Sequence, residues 1–537
     1  MQKNTVMFVL FSTVFLLLWY MFFQPKPVEQ QFLQQQNQQQ ESATVARQEQ
    51  FSDIDIKNET LNPKSQNVSL PVKEIKEKEI ILETEKYKAV FSNKGAAIKN
   101  WYIKEKDGTL TDLVLPEASP VLANFPGSVY ETVEKTDSKL VLSYNYMQSW
   151  KITKTFDLSK EYMHAVNVKL EKLKQDAKLP EIEFNWGPGL GTDDKELKEN
   201  VSVTRVLGYT STKPAKLEKI KEENNPAQIY KWVAIDNRYF LAALIPDNSL
   251  NYSNVGMVKQ NKRTAPILML SAKVKQEETV QNFSLKFYAG PKSYSYLKTF
   301  DMGLEKAVDF GFFGFLGKIA LSVLFALYGL TDNYGWAIII MTILIQILVL
   351  PLTLKTFKST AAMKKIQPLI KDLQTKYKND PKRLQVEMMN LYRTQKVNPF
   401  GGCLPLFLQL PIFWALFTTL RNAYELRHAE WILWVKDLSA SDSLFYMGSI
   451  SFNLLPLIMG LGMFLQQKMT TAVSDPTQRK MMYIMPVIFT LMFWGFPSGL
   501  VLYWLTNSVV SMIVQFFVLK QDEKISSGVK VKNGKRA

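Results

Sequence analysis

The sequence of 537 residues predicts a polytopic α-helical membrane protein that also carries an all-β domain outside the membrane. Three observations predict it. Apolar residues concentrate in blocks near Met1 and after Asp309. The stretch between them, from about Glu79 to Phe300, is written in short alternating segments. The formal charge of +16 is spread unevenly over the segments that flank the apolar blocks, as the loops of a membrane protein would be.

The first block, VMFVLFSTVFLLLWYMFF over residues 6 to 23, follows Lys3 and has the length of a marginal transmembrane helix. Gln24, Pro25 and Lys26 follow it rather than a small-residue cleavage site, so residues 1–23 are expected to be an uncleaved signal anchor. Residues 24–60 are rich in Gln, Glu, Ser and Asn, as in QQFLQQQNQQQESATVARQEQ, with too little apolar surface to offset chain entropy. They read as a disordered tether. Residues 61–308 form the β-domain: KLVLSYNYM (139–147), HAVNVKLEKL (164–173) and VQNFSLKFYAG (280–290) alternate, and Phe283, Leu285 and Phe287 share one strand face. Such strands, broken by Gly, Pro and Asn turns, predict a β-sandwich. NWGPGLGTDD (185–194) has loop glycines but no following GK[ST] and no βαβ context, so it reads as a plain loop.

Five further spans are expected at Trp336 to Leu354, Cys403 to Leu420, Met447 to Leu465, Met481 to Phe496 and Gly499 to Leu519. The last two meet at Phe496-Pro497-Ser498-Gly499, where a tight turn between two helices resolves a run too long for one crossing. With the anchor this makes six. GFFGFLGKIALSVLFALYGL (311–330) is a further candidate, and loop charge decides its role. Between Lys355 and Phe400 eleven basic residues face three acidic ones, a net of +8 that belongs on the cytoplasmic side. Between Arg421 and Tyr446 three basic residues face four acidic ones, and the tail over 520–537 is again basic. An inside amino terminus, an outside β-domain and five later spans satisfy all three counts. A crossing at 311–330 would invert them, so residues 309–335 are expected to form an interfacial amphipathic helix. The core over 336–519 then includes a cytoplasmic hairpin at 355–400, with arms Thr356 to Lys378 and Pro381 to Lys396 meeting at Asn379-Asp380-Pro381. Its charge suits anionic lipids, a ribosome or an incoming chain, or else only enforces topology.

Enzymatic constellations are absent: no HExxH, no Walker A loop, no GxSxG elbow and no paired metal-ligand spacing. One cysteine, Cys403, and two histidines, His164 and His428, offer little to redox or zinc chemistry. No metal, no cofactor and no direct nucleic-acid recognition are expected, and the protein is not read as an enzyme. What remains is polarity inside the spans: Thr342 and Gln346, Gln409, Asn453, and Thr506, Asn507, Ser511 and Gln515. Thr342 and Gln346 share a helix face, as do Asn507, Ser511 and Gln515. In hydrocarbon such faces meet one another or water. Helix-to-helix hydrogen bonding that glues the bundle and a water-accessible groove both stay open. Trp414, Trp494 and Trp504 suit interfacial anchoring or packing.

EMMNLYRTQKVNPFGGCLPLFLQLPIF (387–413), DLSASD (437–442), MPVIFT (485–490) and FPSGLVLYW (496–504), in that order, closely resemble the YidC membrane protein insertases. The resemblance covers nearly the whole chain and is to the Gram-negative form, with an extra anchor and a large periplasmic domain of β-supersandwich fold. It implies a multi-pass protein of the bacterial inner membrane with both termini cytoplasmic and residues 24–335 periplasmic. It implies a five-helix core whose hydrophilic groove opens to cytoplasm and lipid and receives nascent membrane proteins. The protein would act as insertase and chaperone, alone or with the Sec translocon, and be served by the ribosome and the signal recognition particle pathway. The groove residues implied are Thr342, Gln346, Gln409, Tyr503, Trp504, Asn507 and Ser511. Thr342 and Tyr503 match the family's threonine and tyrosine, while Trp504 stands where a tyrosine is usual. Gln346 stands five residues before Pro351, where the family usually has arginine, so a groove here would bind through hydrogen bonds without a fixed positive charge. Two other classes fit less of the sequence. A transporter or channel would usually show repeats or intramembrane charges, and a sugar-binding or scaffolding protein would leave the helices as anchors only.

Overall fold

The computed structural model describes residues 76–533, apart from 116–119, 176–177, 193–203, 211–216, 220–229, 248–251, 259–266, 398–403, 448–449 and 471–475. The anchor over 1–23, the tether over 24–60 and Cys403 lie outside the described residues.

Alternation in the sequence becomes strand wherever it is paired. Trp150–Asp157, WKITKTFD, buries Trp150, Ile152, Lys154 and Phe156 on one face and leaves the intervening residues more open. It lies in a nine-stranded antiparallel sheet. The strand order is Leu217–Lys219, Arg205–Thr210, Tyr230–Asp236, Phe240–Pro246, Val280–Pro291, Met163–Lys172, Trp150–Asp157, Lys139–Tyr146 and Glu131–Lys135. A four-stranded sheet from Glu79–Glu83 to Leu110–Asp112 and a three-stranded sheet built on Ile182–Trp186 complete the domain. One apolar core joins the sheets. Phe91 of the smaller sheet meets Phe156 of the larger at 4.8 Å between ring centroids, and Trp101 meets Phe287 at 5.6 Å. Short helix α1, Tyr294–Lys298, leads out of the domain.

The helical part begins with α2, Gly314–Thr331, followed after two residues by α3, Tyr334–Lys376. At about 1.5 Å per residue α3 is roughly 64 Å long, about twice the hydrocarbon thickness. It therefore runs the expected span and the first arm of the hairpin together, with Pro351 and Pro368 inside it and no break between. The second arm is α4, Pro381–Thr394, started by the Asp380 carboxylate, which accepts from Arg383 N at 3.0 Å. Ile366, Ile370 and Val397 form a small core that closes the hairpin. Then come α5, Leu404–Asn422, α6, Leu454–Thr470, α7, Pro476–Met492, and α8, Ser498–Asn533, which continues into the basic tail. Among the described residues, three helices are long and apolar enough to cross a membrane, α2, α3 and the first part of α8 to Val518; Met482–Gly495 is a shorter apolar stretch.

Two boundaries differ from the sequence reading. Residues expected to open a span at Met447 instead form a β-hairpin, Ser443–Met447 with Ile450–Asn453, its Phe445 and Phe452 rings stacked at 4.8 Å. A short apolar run reads alike as strand or helix, and the β-branched and aromatic content of SLFYM and ISFN favours the strand. Asn453 therefore ends a strand rather than lying inside a helix, and its side-chain amide donates to the Trp494 carbonyl. The second difference concerns α2, whose length and composition would allow a crossing. Near its start Thr418, late in α5, donates to the Phe310 carbonyl at 2.9 Å; just past its end Asn333 donates to the carbonyls of Glu430 and Trp431, shortly after α5. Both ends of a helix about 27 Å long thus touch the same end of the bundle.

Candidate functional site

The polar residues of the helices converge on a seam between α3, α5 and α8. Tyr503, Asn507, Ser511 and Gln515 recur every four residues along α8, and all but Asn507 are buried. Thr342 and Gln346 stand one turn apart on α3 and are buried as well. The Gln346 side-chain amide donates to Asn507 Oδ1, and Gln409 Nε2 of α5 donates to the Tyr503 hydroxyl at 2.5 Å. Two amide-centred bonds thus tie three helices whose other faces carry exposed Leu344, Ile347 and Leu348 on α3 and Ile513, Phe516 and Phe517 on α8.

The remaining sequence-derived residues divide. Thr342 Oγ1 returns to its own helix, donating to the Ile338 carbonyl at 2.7 Å. Ser511 sits on the seam face of α8. Trp504, one position round from Tyr503, turns away from the polar residues into an aromatic cluster, 5.2 Å from Phe413, 5.4 Å from Phe493 and 5.6 Å from Phe489. No Asp, Glu, Lys or Arg interrupts 336–354 or 499–519, so the seam offers hydrogen bonding without a fixed charge.

A second polar centre escaped the sequence reading. Glu105 of the β-domain and Arg427 of the segment after α5 form an ion pair, Nε to Oε2 at 2.7 Å, with side chains 1% and 2% exposed. His428 lies 3.3 Å from Glu105, 3.2 Å from Asp107 and 3.7 Å from Asp437. Burial pushes the Glu105 carboxyl up, but bonds from His428 and Arg427 outweigh it and hold the pKa at about 2. The bond to Glu105 raises the His428 pKa, against burial. Around this pair Ser293 Oγ donates to Glu425 Oε1 at 2.6 Å and Arg238 Nε to the Arg421 carbonyl at 2.9 Å. Glu105 and Arg427 are 322 residues apart in a loop-to-loop contact, which leaves no periodic signal in the sequence.

A family model described as the 60Kd inner membrane protein matches residues 326–525, and one described as the YidC periplasmic domain matches 111–323. A membrane protein insertase YidC from Endomicrobium trichonymphae is 56% identical over 524 residues, covering 97% of this chain and 99% of its own. The chain belongs to the YidC membrane protein insertase family. A YidC from Syntrophus aciditrophicus is 37% identical over 484 residues, covering 83% of this chain and 86% of its own. A crystal structure of an active YidC insertase with its first transmembrane domain resolved aligns with 82% of this chain and 93% of its own, at 23% identity and a TM-score of 0.39. A galactose mutarotase-like protein from Lactobacillus casei aligns with 40% of this chain at 11% identity and a TM-score of 0.27. Both scores are too low to speak for fold or function. The YidC relatives span both the β-domain and the helices, so the large β-sheet region and the apolar helices belong to one family architecture.

Proposed function

We propose that this protein inserts and folds proteins of the bacterial inner membrane by receiving the polar end of a nascent segment at the seam of α3, α5 and α8. The observation that carries the proposal is the uncharged pair of buried Gln346 and half-buried Asn507, bonded between helices whose opposite faces are bare hydrocarbon side chains. A polar group crossing about 30 Å of lipid needs hydrogen-bond partners on the way. Exchange of the Gln346–Asn507 and Gln409–Tyr503 bonds for bonds to the incoming chain supplies them, and burial of the segment's apolar part drives the step without nucleotide. The groove comprises Thr342, Gln346, Gln409, Tyr503, Asn507 and Ser511, with the Trp504 cluster packed behind it.

In this reading the chain has six spans, the anchor over 1–23 and five from α3, α5, α6, α7 and α8, with both termini cytoplasmic. The β-domain over 61–308 is a periplasmic β-supersandwich on the tether over 24–60. Contact of both ends of α2 with the same end of the bundle supports its place in the interface. The core runs from 336 to 519, and its hairpin over 355–400 meets anionic lipids, the ribosome and the signal recognition particle pathway. The protein works alone or beside the Sec translocon. No catalysis and no nucleic-acid recognition are involved.

The test is protease protection of a small single-span substrate added to nucleotide-free liposomes containing only the purified protein. Insertion above empty liposomes, reduced by Gln346→Ala, is the expected result. Insertion unaffected by both Gln346→Ala and Asn507→Ala would remove the groove from the mechanism.

A further inference from the structure

Where the β-domain meets the start of α2, a cleft of about 550 Å³ opens between Arg205 and Lys306 on one side and Phe312, Phe315 and Lys318 on the other. Its charges are not all internally matched. Arg205 is held by Asp236 Oδ1 at 3.0 Å and by Asp309 Oδ2 at 3.0 Å, and Asp236 also accepts from Lys292 at 2.8 Å, so two cations and two carboxylates neutralise one another. Lys306 and Lys318 are left over. Lys306 Nζ donates to the Tyr209 hydroxyl at 2.7 Å, and Lys318 lies 5.8 Å over the rings of Tyr294 and Phe310. Among the described residues neither has a carboxylate at ion-pair distance, and the cleft keeps a net positive charge of two. Beside it Phe312, just before α2, is 96% exposed, and on the first turns of α2 Phe315 is 77% exposed, with Leu316 and Ile319 also open, an apolar stripe exposed among the described residues.

Unmatched ammonium groups in a recess bordered by bare aromatic rings are what an amphiphilic anion needs: donors for the phosphate and an apolar path for its chains. We propose that this cleft binds the headgroup of an anionic phospholipid from the outer leaflet, with Lys306 and Lys318 donating to the phosphate oxygens and the acyl chains lying along Phe312 and Phe315. The ligand is anionic because the quaternary ammonium of a zwitterionic lipid would sit beside the same two lysines. Such a lipid pins the β-domain and α2 to the membrane surface at one point. The proposal rests on the interfacial placement of α2.

The test uses the full chain in phosphatidylcholine vesicles doped with phosphatidylglycerol that carries a photoreactive group on its headgroup, with crosslinked peptides mapped. Labelling of residues 306–318 is expected, with loss of most of it in the Lys306→Gln/Lys318→Gln double variant and retention in the Lys306→Arg/Lys318→Arg variant. Equal labelling by a phosphatidylcholine probe, or labelling that survives the Gln double variant, overturns the proposal. Displacement by excess inorganic phosphate reassigns the cleft to a free anion and overturns the lipid. Acyl-chain probes separate the underlying placement: an interfacial α2 is labelled by a group near the glycerol and not by one at the chain end. Chain-end labelling along α2 refutes that placement, whereas glycerol-level labelling without headgroup labelling refutes the lipid site alone.

Discussion

Replacing Glu105 by Gln removes one charge from the pair that joins the β-domain to the segment after α5, with almost no change of shape. In the parent, the Glu105 carboxylate accepts from Arg427 Nε at 2.7 Å and Nη2 at 3.2 Å, and also from Thr111. Both side chains of the pair are almost wholly buried, so solvent screening discounts little. The fall of the Glu105 pKa from an ordinary 4.5 to about 2 corresponds to about 3 kcal/mol, at roughly 1.36 kcal/mol per tenfold change in proton affinity. An independent route gives the same size, since removing one partner of a buried ion pair costs roughly 3 to 5 kcal/mol by stranding the other. The group that loses its carboxylate is the Arg427 guanidinium, which also lies 4.7 Å over the Tyr239 ring and 5.4 Å over Phe240.

Hydrogen–deuterium exchange of the full chain reads this directly, because amides at 105–112 and 421–440 exchange through opening of that contact. A loss of about 3 kcal/mol speeds their exchange roughly a hundredfold or more. Amides of the central strands, such as Phe283 to Phe287, keep their rates. Glu79→Gln serves as control: its partner Lys99 and Glu79 itself are half exposed, and the same regions exchange unchanged. Acceleration of less than about tenfold in Glu105→Gln would show that the attraction within the pair does no more than offset its desolvation, and would refute the pair as the clamp between the two parts.

The same contact is pH-dependent in a defined direction. Glu105 is depressed, so its contribution is complete above about pH 4.5 and is lost as the pH falls through about 2. His428 is raised from 6.5 by Glu105, with Asp437 adding and both burial and Arg427 opposing, while Asp107 also faces it; its contribution is complete below 6.5 and is lost as the pH rises through the raised value. Exchange at 421–440, corrected for intrinsic rates, is therefore expected to accelerate above pH 6.5, and His428→Gln to abolish that rise; a rise that persists in the variant rules out His428 as its source. Between α6 and α7 a Cβ built on Gly460 would stand 2.0 Å from Thr490 Oγ1, which donates to the Pro486 carbonyl at 2.8 Å. Gly460→Ala is expected to cost about 1 to 3 kcal/mol by overpacking, seen as a lower thermal midpoint in detergent; an unchanged midpoint would mean that the two helices separate freely there.

How much of this was legible in the sequence depends on whether the deciding force is periodic. Alternation placed strands such as Trp150–Asp157, and apolar length placed α3, α5 and α8, because burial of one face or of a whole span repeats at fixed intervals. The polar seam was legible for the same reason: residues four apart on a helix share a face, and in hydrocarbon a polar face has few places to go. Spacing did not reveal pairing. That Gln346 would meet Asn507 rather than Gln409, and that Trp504 would leave the seam, depends on how α3, α5 and α8 are rotated about their axes, which packing sets. Helix α6 starts seven residues after the apolar run does, because the hairpin before it is as apolar as the helix. Lys154 marks the sharper limit. It occupies an inward position of a strand, fully buried, its ammonium bonded to the Leu122 carbonyl and to Asn124 Oδ1 at 2.7 Å, with burial driving its pKa well below the usual range. The period of the strand calls for an apolar residue there, and only acceptors supplied from a loop some thirty residues earlier make the lysine admissible. Glu105, Arg427 and His428 are the same case across a longer separation. In this protein the helical seam is therefore visible from local pattern, whereas the charged joint between β-domain and helices exists only once the chain has folded.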